Sequence, residues 1–383
     1  MSEAVPKHAL SSGRRAVLKA GLAMLAMPLV AGARCAGGTA TQRALPARAR
    51  GSTRIDVRAM GARGDGRTDD TAAFQKAVDA LPAAGGTVVV PGGNYLIDAV
   101  HSIRLRSRMA LQLAPDAVLA AIPNGERQST VIFMEKIADV EISGGRIVGE
   151  RDRHLVTTGE WGHGIRFRGA SRVTVRDIHI SNCWGDGICM GGADEHQRTP
   201  SVDVVIAGVT CKGNRRQGLS IGRTRMVRVY DSEFSDTAGT APQFGIDIEP
   251  DRPGDCQDVR VENCLVRNNK GGGIQIYRRV NGVVIQDCTI EDNRGQGILA
   301  VGATGGLIAG NCIHDNGGVG VGLRQQSASF EVRDNVFANN AGRARARALA
   351  SGRAPRQPLD EQGSAVHVAA DATGIRIGAN TYQ

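Results

Sequence analysis

Asn263-Cys264-Leu265-Val266, Asp287-Cys288-Thr289-Ile290 and Asn311-Cys312-Ile313-His314 state one motif three times, with the cysteines 24 residues apart. A short polar run follows each, and then a glycine with an apolar partner: Gly273-Ile274, Gly297-Ile298 and Gly320-Val321. A period in the twenties, with strand-like alternation and Asn, Asp and Gly at the corners, marks a solenoid. The stretch holds little leucine and no helical period, which argues against a leucine-rich horseshoe. A parallel β-helix fits: each coil is one turn of strands and corners, laid on the next about 4.8 Å away.

Outward from that stretch, the glycine that opens one strand recurs at Gly164, Gly187, Gly218, Gly245, Gly273, Gly297 and Gly320. Residues 105–119 and 131–148 read as earlier coils. Where the spacing lengthens, loops are expected at 150–161, 192–200 and 237–244, and loops that project from a coil wall a cleft. Aligning the coils gives a column of small or apolar residues: Ile178, Val209, Ser232, Cys264, Cys288, Cys312 and Val336. Cysteine exchanging with Val and Ser suits an inward slot. Stacking would bring neighbouring sulfurs within disulfide range, and buried thiols are the expectation.

Composition bounds the partners. The chain has 383 residues, and its 51 glycines follow no collagen period. The net charge of +9 sits mostly at two places. One is the first 33 residues; the other is 341–362, where five arginines face only Asp360 and Glu361. That second stretch reads as a basic, mobile insertion before a last coil at 365–368. The solenoid body is only mildly basic, which admits an acidic polysaccharide or oligosaccharide as partner and does not indicate nucleic acid.

Residues 1–33 read as an export signal. Arg14-Arg15-Ala16-Val17-Leu18-Lys19 precedes an apolar run from residue 20 to 30, and Ala31-Gly32-Ala33 offers small residues for cleavage. The arginine pair resembles a twin-arginine signal, which points to the periplasm or beyond. The run is too short to span a bilayer, and no later segment is long enough, so no membrane insertion is expected once the signal is removed. Residues 34–52 read as a flexible tether, and 53–383 as the β-helix domain.

The N-terminal end of a solenoid needs a lid. After Gly64-Asp65-Gly66-Arg67-Thr68-Asp69-Asp70-Thr71, the apolar positions Ala73, Phe74, Ala77, Val78 and Leu81 predict an amphipathic helix capped by Thr68 or Asp69. Gly85-Gly86-Thr87-Val88-Val89-Val90-Pro91-Gly92-Gly93-Asn94-Tyr95-Leu96-Ile97 then reads as strand, corner, strand. Asp65, Asp69 and Asp70 are turn and cap residues on this reading. The whole segment resembles the start of the pectate-lyase-like superfamily, which includes polygalacturonase-type glycoside hydrolases and phage tailspike depolymerases. The resemblance implies an all-β fold, a right-handed single-stranded parallel β-helix with an N-terminal capping α-helix. It does not choose a reaction, because the fold carries hydrolases, lyases, epimerases and inert stalks.

The strand after each repeating glycine alternates in and out. Its outward ladder is Arg166, Cys189, Ser220, Asp247 and Gln275, and two residues further come Arg168, Gly191, Gly222, Glu249 and Tyr277. Just before the glycines stand His163, Asp186 and Gln217. One wall is thus expected to collect His163, Arg166, Asp186, Asp247, Glu249, Gln275, Tyr277 and Arg278 within roughly 15–20 Å. Inverting glycosidic cleavage needs an acid and a base about 6.5–9.5 Å apart. Asp247 and Glu249, two apart on one strand, or Asp186 and Asp247, two coils apart, meet that requirement. Polygalacturonases carry N-T-D-G, an Asp pair, G-H-G and R-I-K in order. Here Trp184-Gly185-Asp186-Gly187 resembles the first, Gly162-His163-Gly164 matches the third but precedes it, and Gln217-Gly218 stands where the Asp pair should be.

The expected function is therefore an exported polysaccharide-active enzyme, hydrolysing glycosidic bonds with Asp186, Asp247 and Glu249. His163, Arg166, Trp184, Gln275, Tyr277 and Arg278 are the expected substrate contacts, with Trp184 and Trp161 as sugar-stacking faces. No cofactor is expected for a hydrolase. A lyase or C5-epimerase of a uronan is the alternative, with Asp247 and Glu249 holding Ca²⁺ or facing the uronate. A non-catalytic glycan-binding or structural solenoid is the third.

Overall fold

The computed structural model describes residues 43–194, 198–251, 254–342 and 364–383. Three parallel sheets of 12, 12 and 10 strands run the length of a β-helix, each coil giving one strand to each sheet in turn. Inward positions are Val, Ile, Leu, Phe and Ala, and they merge into one continuous core. The predicted helix is α1 (Thr71–Asp79), which buries Ala73, Phe74, Ala77 and Val78. In the first coil it stands where later coils place their third strand, and it packs on Ile103–Arg104, the first strand of the third sheet. Phe74 meets Tyr95 edge-on at 5.3 Å. The N-cap is Asp70 rather than Thr68 or Asp69, and its side chain makes no cap hydrogen bond; the three aspartates instead bond amides of the turn around it. The Asp65 carboxylate accepts from the Arg67 and Thr68 amides, Asp69 from the Thr71 amide, and Asp70 from the amides of Arg63 and Gly64.

The polar runs between strands are explained by backbone sign. At the corner between the first and second sheets, Asp177, Gly208, Asp231, Asn263, Asp287, Gly310 and Asp334 all take left-handed φ, between 49° and 66°. Asn and Asp tolerate that region because a short polar side chain can bond locally; glycine has no Cβ to clash. The second corner repeats the device with Asn182, Gly213, Asp236, Asn268, Asp292, Asp315 and Asn339.

This register corrects the cysteine column. Strand pairing aligns Leu265 with Thr289 and Thr289 with Cys312, so the residue beside Cys264 and Cys288 in the next coil is Asn311. Gly310 takes the corner that Asp287 held, and the chain advances by one fewer residue in that coil. Cys312 and, in the following coil, Val336 lie one position further along. Cys264 and Cys288 are buried free thiols, as expected, whereas Cys312 is disulfide-bonded and departs from that expectation.

Inside the second corner runs a buried ladder absent from the sequence reading. Asn269, Asn293 and Asn316 each donate from Nδ2 to a main-chain oxygen of the preceding coil. Each also donates to the Oδ1 of the next asparagine, at 2.8, 3.0 and 3.0 Å. Buried side-chain amides are stable only when so satisfied.

The expected tether is instead a strap where it is described. Arg48 is buried; it donates to Thr174 Oγ1 at 2.9 Å, to Asp203 Oδ2 at 2.6 Å and to the Val173 carbonyl. Arg50 pairs with Glu141, and Arg43 pairs with Glu262 while lying over the Tyr230 ring. These partners lie on successive strands of the first sheet, so residues 43–50 cross its outer face. The expected signal at 1–33 lies outside the described residues, as does nearly all of the insertion at 341–362. Among the described residues, no helix is long and apolar enough to cross a membrane.

Candidate active site

Five neighbouring strands of the third sheet form the wall: β1 (Trp161–Arg168), β2 (Ile188–Gly191), β3 (Leu219–Ile221), β4 (Ile246–Ile248) and β5 (Ile274–Ile276). Their register places Arg166, Cys189, Ser220, Asp247 and Gln275 side by side, each on the face opposite the isoleucine-rich core. Loops and long side chains fold over this face. The acidic strip is consequently a sunken cleft of about 180 Å³ rather than an open exterior, lined among others by Trp161, His163, Arg166, Asp186, Arg216, Ser220, Asp247, Glu249 and Asp251. His163, Asp186 and Asp247 are 3 %, 0 % and 2 % exposed, and Glu249 is half-buried.

Asp186 sits at the corner just before β2. Its carboxylate accepts from Arg216 Nη1 at 3.3 Å and from Ser220 Oγ at 2.9 Å. Burial pushes its carboxyl above the usual range, and Arg216 and Ser220 work against that push. The Asp186 amide donates to His163 Nδ1 at 3.2 Å, which makes Nδ1 an acceptor and leaves the ring proton on Nε2. Burial, then the charges of Arg166 and Arg216, hold His163 well below the usual histidine range, so it is neutral at pH 7.

Asp247 is the unusual carboxyl. One oxygen, Oδ2, accepts from Gln217 Nε2 at 2.6 Å; the other, Oδ1, is buried without a hydrogen-bond partner. Burial first, then the neighbouring Glu249 charge, push its pKa up to about 8, with Arg216 opposing and Asp186 adding to the rise. At neutral pH Asp247 is mostly a protonated acid.

Of the expected contacts, His163 and Arg166 line the cleft. Gln275 is buried on the strand beside Asp247 and opposes the rise in its pKa. Trp184 is not a sugar platform. His154 stacks on one face at 3.9 Å and Arg215 covers the other at 3.7 Å, so the ring is 8 % exposed. Trp161 remains half-buried at the cleft edge. Tyr277 and Arg278 lie one coil on and do not line the cleft; Arg278 reaches across coils to Gln325 at 2.8 Å. Arg216, Ser220, Gln217 and Asp251 were missed as site residues. A signal existed for Gln217, which holds the position before the repeating glycine, as His163 and Asp186 do.

Two sets of donors invite a metal, and neither fits. Ligand atoms of His163, Asp186 and Cys189 lie within 4.8 Å of one another. Yet Asp186 is already bound by Arg216, His163 Nδ1 is engaged by an amide, and both groups feel nearby guanidinium charge. For Ca²⁺ at Asp247 and Glu249, the Arg216 guanidinium already supplies positive charge beside Asp247 and opposes a second cation. A larger groove of about 710 Å³ follows the second corner, where the ladder asparagines bond to one another.

Comparisons with known proteins agree with this architecture. A family model described as "Right handed beta helix region" matches residues 126–251 and 252–381. A second, "Rhamnogalacturonase A/epimerase, pectate lyase-like", matches residues 54–137, the segment whose motifs carried the resemblance. Among curated proteins, the uncharacterized protein YclG of Bacillus subtilis is 33% identical over 230 residues, 54% of this chain and 39% of that protein. An exopolygalacturonase of Arabidopsis thaliana is 30% identical over 144 residues, 33% of this chain and 32% of that protein. The chain thus spans well under half the length of these relatives. Among solved structures, the A-module of the Azotobacter vinelandii mannuronan C-5 epimerase AlgE4 superposes with a TM-score of 0.67 at 18% identity, covering 86% of this chain and 97% of that one.

Proposed function

The chain belongs to the right-handed parallel β-helix family, and on that premise we propose that it is an exported enzyme that hydrolyses glycosidic bonds of an acidic polysaccharide. The observation that carries this reading is Asp247, a buried carboxyl that keeps its proton to about pH 8 with one oxygen unpartnered beside the cleft. Glu249 stands just past the end of the same strand, about 6.8 Å away between Cα atoms, and its charge reaches Asp247; an inverting pair needs its carboxyl groups about 6.5–9.5 Å apart. Asp247 gives its proton to the glycosidic oxygen as the C1–O bond breaks, and the bonding pair leaves with that oxygen. Water adds to C1 from the opposite face, and Glu249 takes its proton. Asp186 holds Arg216 beside the acid, and Arg166 and Arg216 supply guanidinium groups for a uronate or sulfate. Export rests on the features of residues 1–33.

The test is product analysis on a panel of defined polysaccharides. New reducing ends without ultraviolet-absorbing unsaturated sugars support hydrolysis, with Asp247→Asn and Glu249→Gln each lowering kcat by about 10²–10⁴-fold. Unsaturated ends, or altered sugar configuration without cleavage, sink hydrolysis in favour of a second reading, a uronan lyase or C5-epimerase. Two cleft arginines favour that alternative, since a neutralised carboxylate acidifies the proton beside it. Relatives of both kinds, an exopolygalacturonase and a mannuronan epimerase, are consistent with a polysaccharide partner in either case.

A further inference from the structure

Gln217 is fully buried behind the cleft wall and touches the acid directly. Its two amide ends are assigned by their neighbours. The Phe244 main-chain N–H donates to Oε1 at 2.8 Å, so that end must be the carbonyl. The NH₂ group is then the end that faces Asp247 Oδ2 at 2.6 Å. We propose that Gln217 is a positioning residue that decides which oxygen of Asp247 carries the acid proton. An N–H donor against Oδ2 obliges that oxygen to accept, because a hydrogen on Oδ2 would meet the amide hydrogen head-on. The proton is left to Oδ1, the oxygen with no partner in the protein. A carboxylate at position 217 would do the opposite: it would accept the Asp247 proton and turn it into the wall. This is a physical reason for an amide where polygalacturonase-type motifs have an acid.

The inference rests on the acid role given to Asp247 above, and its test separates the two. Asp247 is titrated directly by carboxyl ¹³C NMR, its resonance identified by its loss in Asp247→Asn. Gln217→Met keeps length and volume but has no donor. It removes a hydrogen bond that favours the ionised acid, so the midpoint should rise by about one pH unit, the size of a single bond to a charged oxygen. The alkaline limb of the pH–rate profile should move with it, and kcat should fall at least tenfold with KM little changed. Gln217→Glu, the second variant, should abolish the alkaline limb at Asp247 and give a coupled two-step titration. A folded Gln217→Met or Gln217→Glu protein whose Asp247 midpoint is that of the wild type overturns the proposal. A moved midpoint in a protein that turns over no glycan supports the Gln217 contact and overturns the hydrolase reading alone. Turnover with an unshifted pH profile does the reverse.

Discussion

At the scale of single residues, the Asp247 carboxyl makes stability depend on pH in a direction opposite to most carboxylates. Its folded pKa is raised to about 8, whereas an unfolded aspartate titrates near 3.9. Between those values the folded chain holds a proton that the unfolded chain has lost, so this group's contribution declines as pH rises from about 4 to about 8. Asp247→Asn has nothing to ionise. It should match wild type below about pH 4 and exceed it at pH 8–9 by roughly 2–4 kcal/mol, discounted from the full linkage value because buried sites relax. Denaturant melts at both pH values check this, and a variant equally stable or less stable at pH 8.5 would contradict the protonated state. The outward placement of Asp247 was legible, because alternation along Ile246-Asp247-Ile248 leaves no other face. Its burial was not, because the side chains over it come from other coils. Trp184 shows the same limit: His154 and Arg215, which cover it, are remote in sequence and no local pattern pairs them.

At the scale of elements, the corners hold the coils in register. Asn293 accepts from the Asn269 amide and side chain, and donates to Val266 and Asn316. Asn293→Ala strands several buried polar groups at once and should cost about 2–4 kcal/mol, measured by urea unfolding. At the other corner, Asp287 has φ 55°. Asp287→Gly should be tolerated within about 1 kcal/mol, while Asp287→Val should cost roughly 1–2 kcal/mol, because a β-branched side chain clashes in that region. The Asn/Asp/Gly corners were readable for the same steric reason. The one-residue slip at Gly310-Asn311 was not, because Asn311-Cys312 copies the letters of Asn263-Cys264 while Gly310 takes over the corner.

At the scale of the whole molecule, each coil touches only its neighbours, and stability is a sum of local terms along one axis. The end strand Arg376–Ile377 is two residues long with both exposed, so its amides should exchange faster than those of the central coils around β4. Uniform protection along the axis would contradict a one-dimensional stack. The strap is the exception to nearest-neighbour logic, since it joins coils that do not adjoin. Arg48→Ala should cost about 1–3 kcal/mol, and thermal melts of that variant test it. A growing chain emits Arg48 155 residues before the Asp203 that receives it, and the coils between must wind first. The buckle therefore cannot close until about half of the chain has been made. A chain lacking residues 1–50 should wind normally yet come unfastened along one flank.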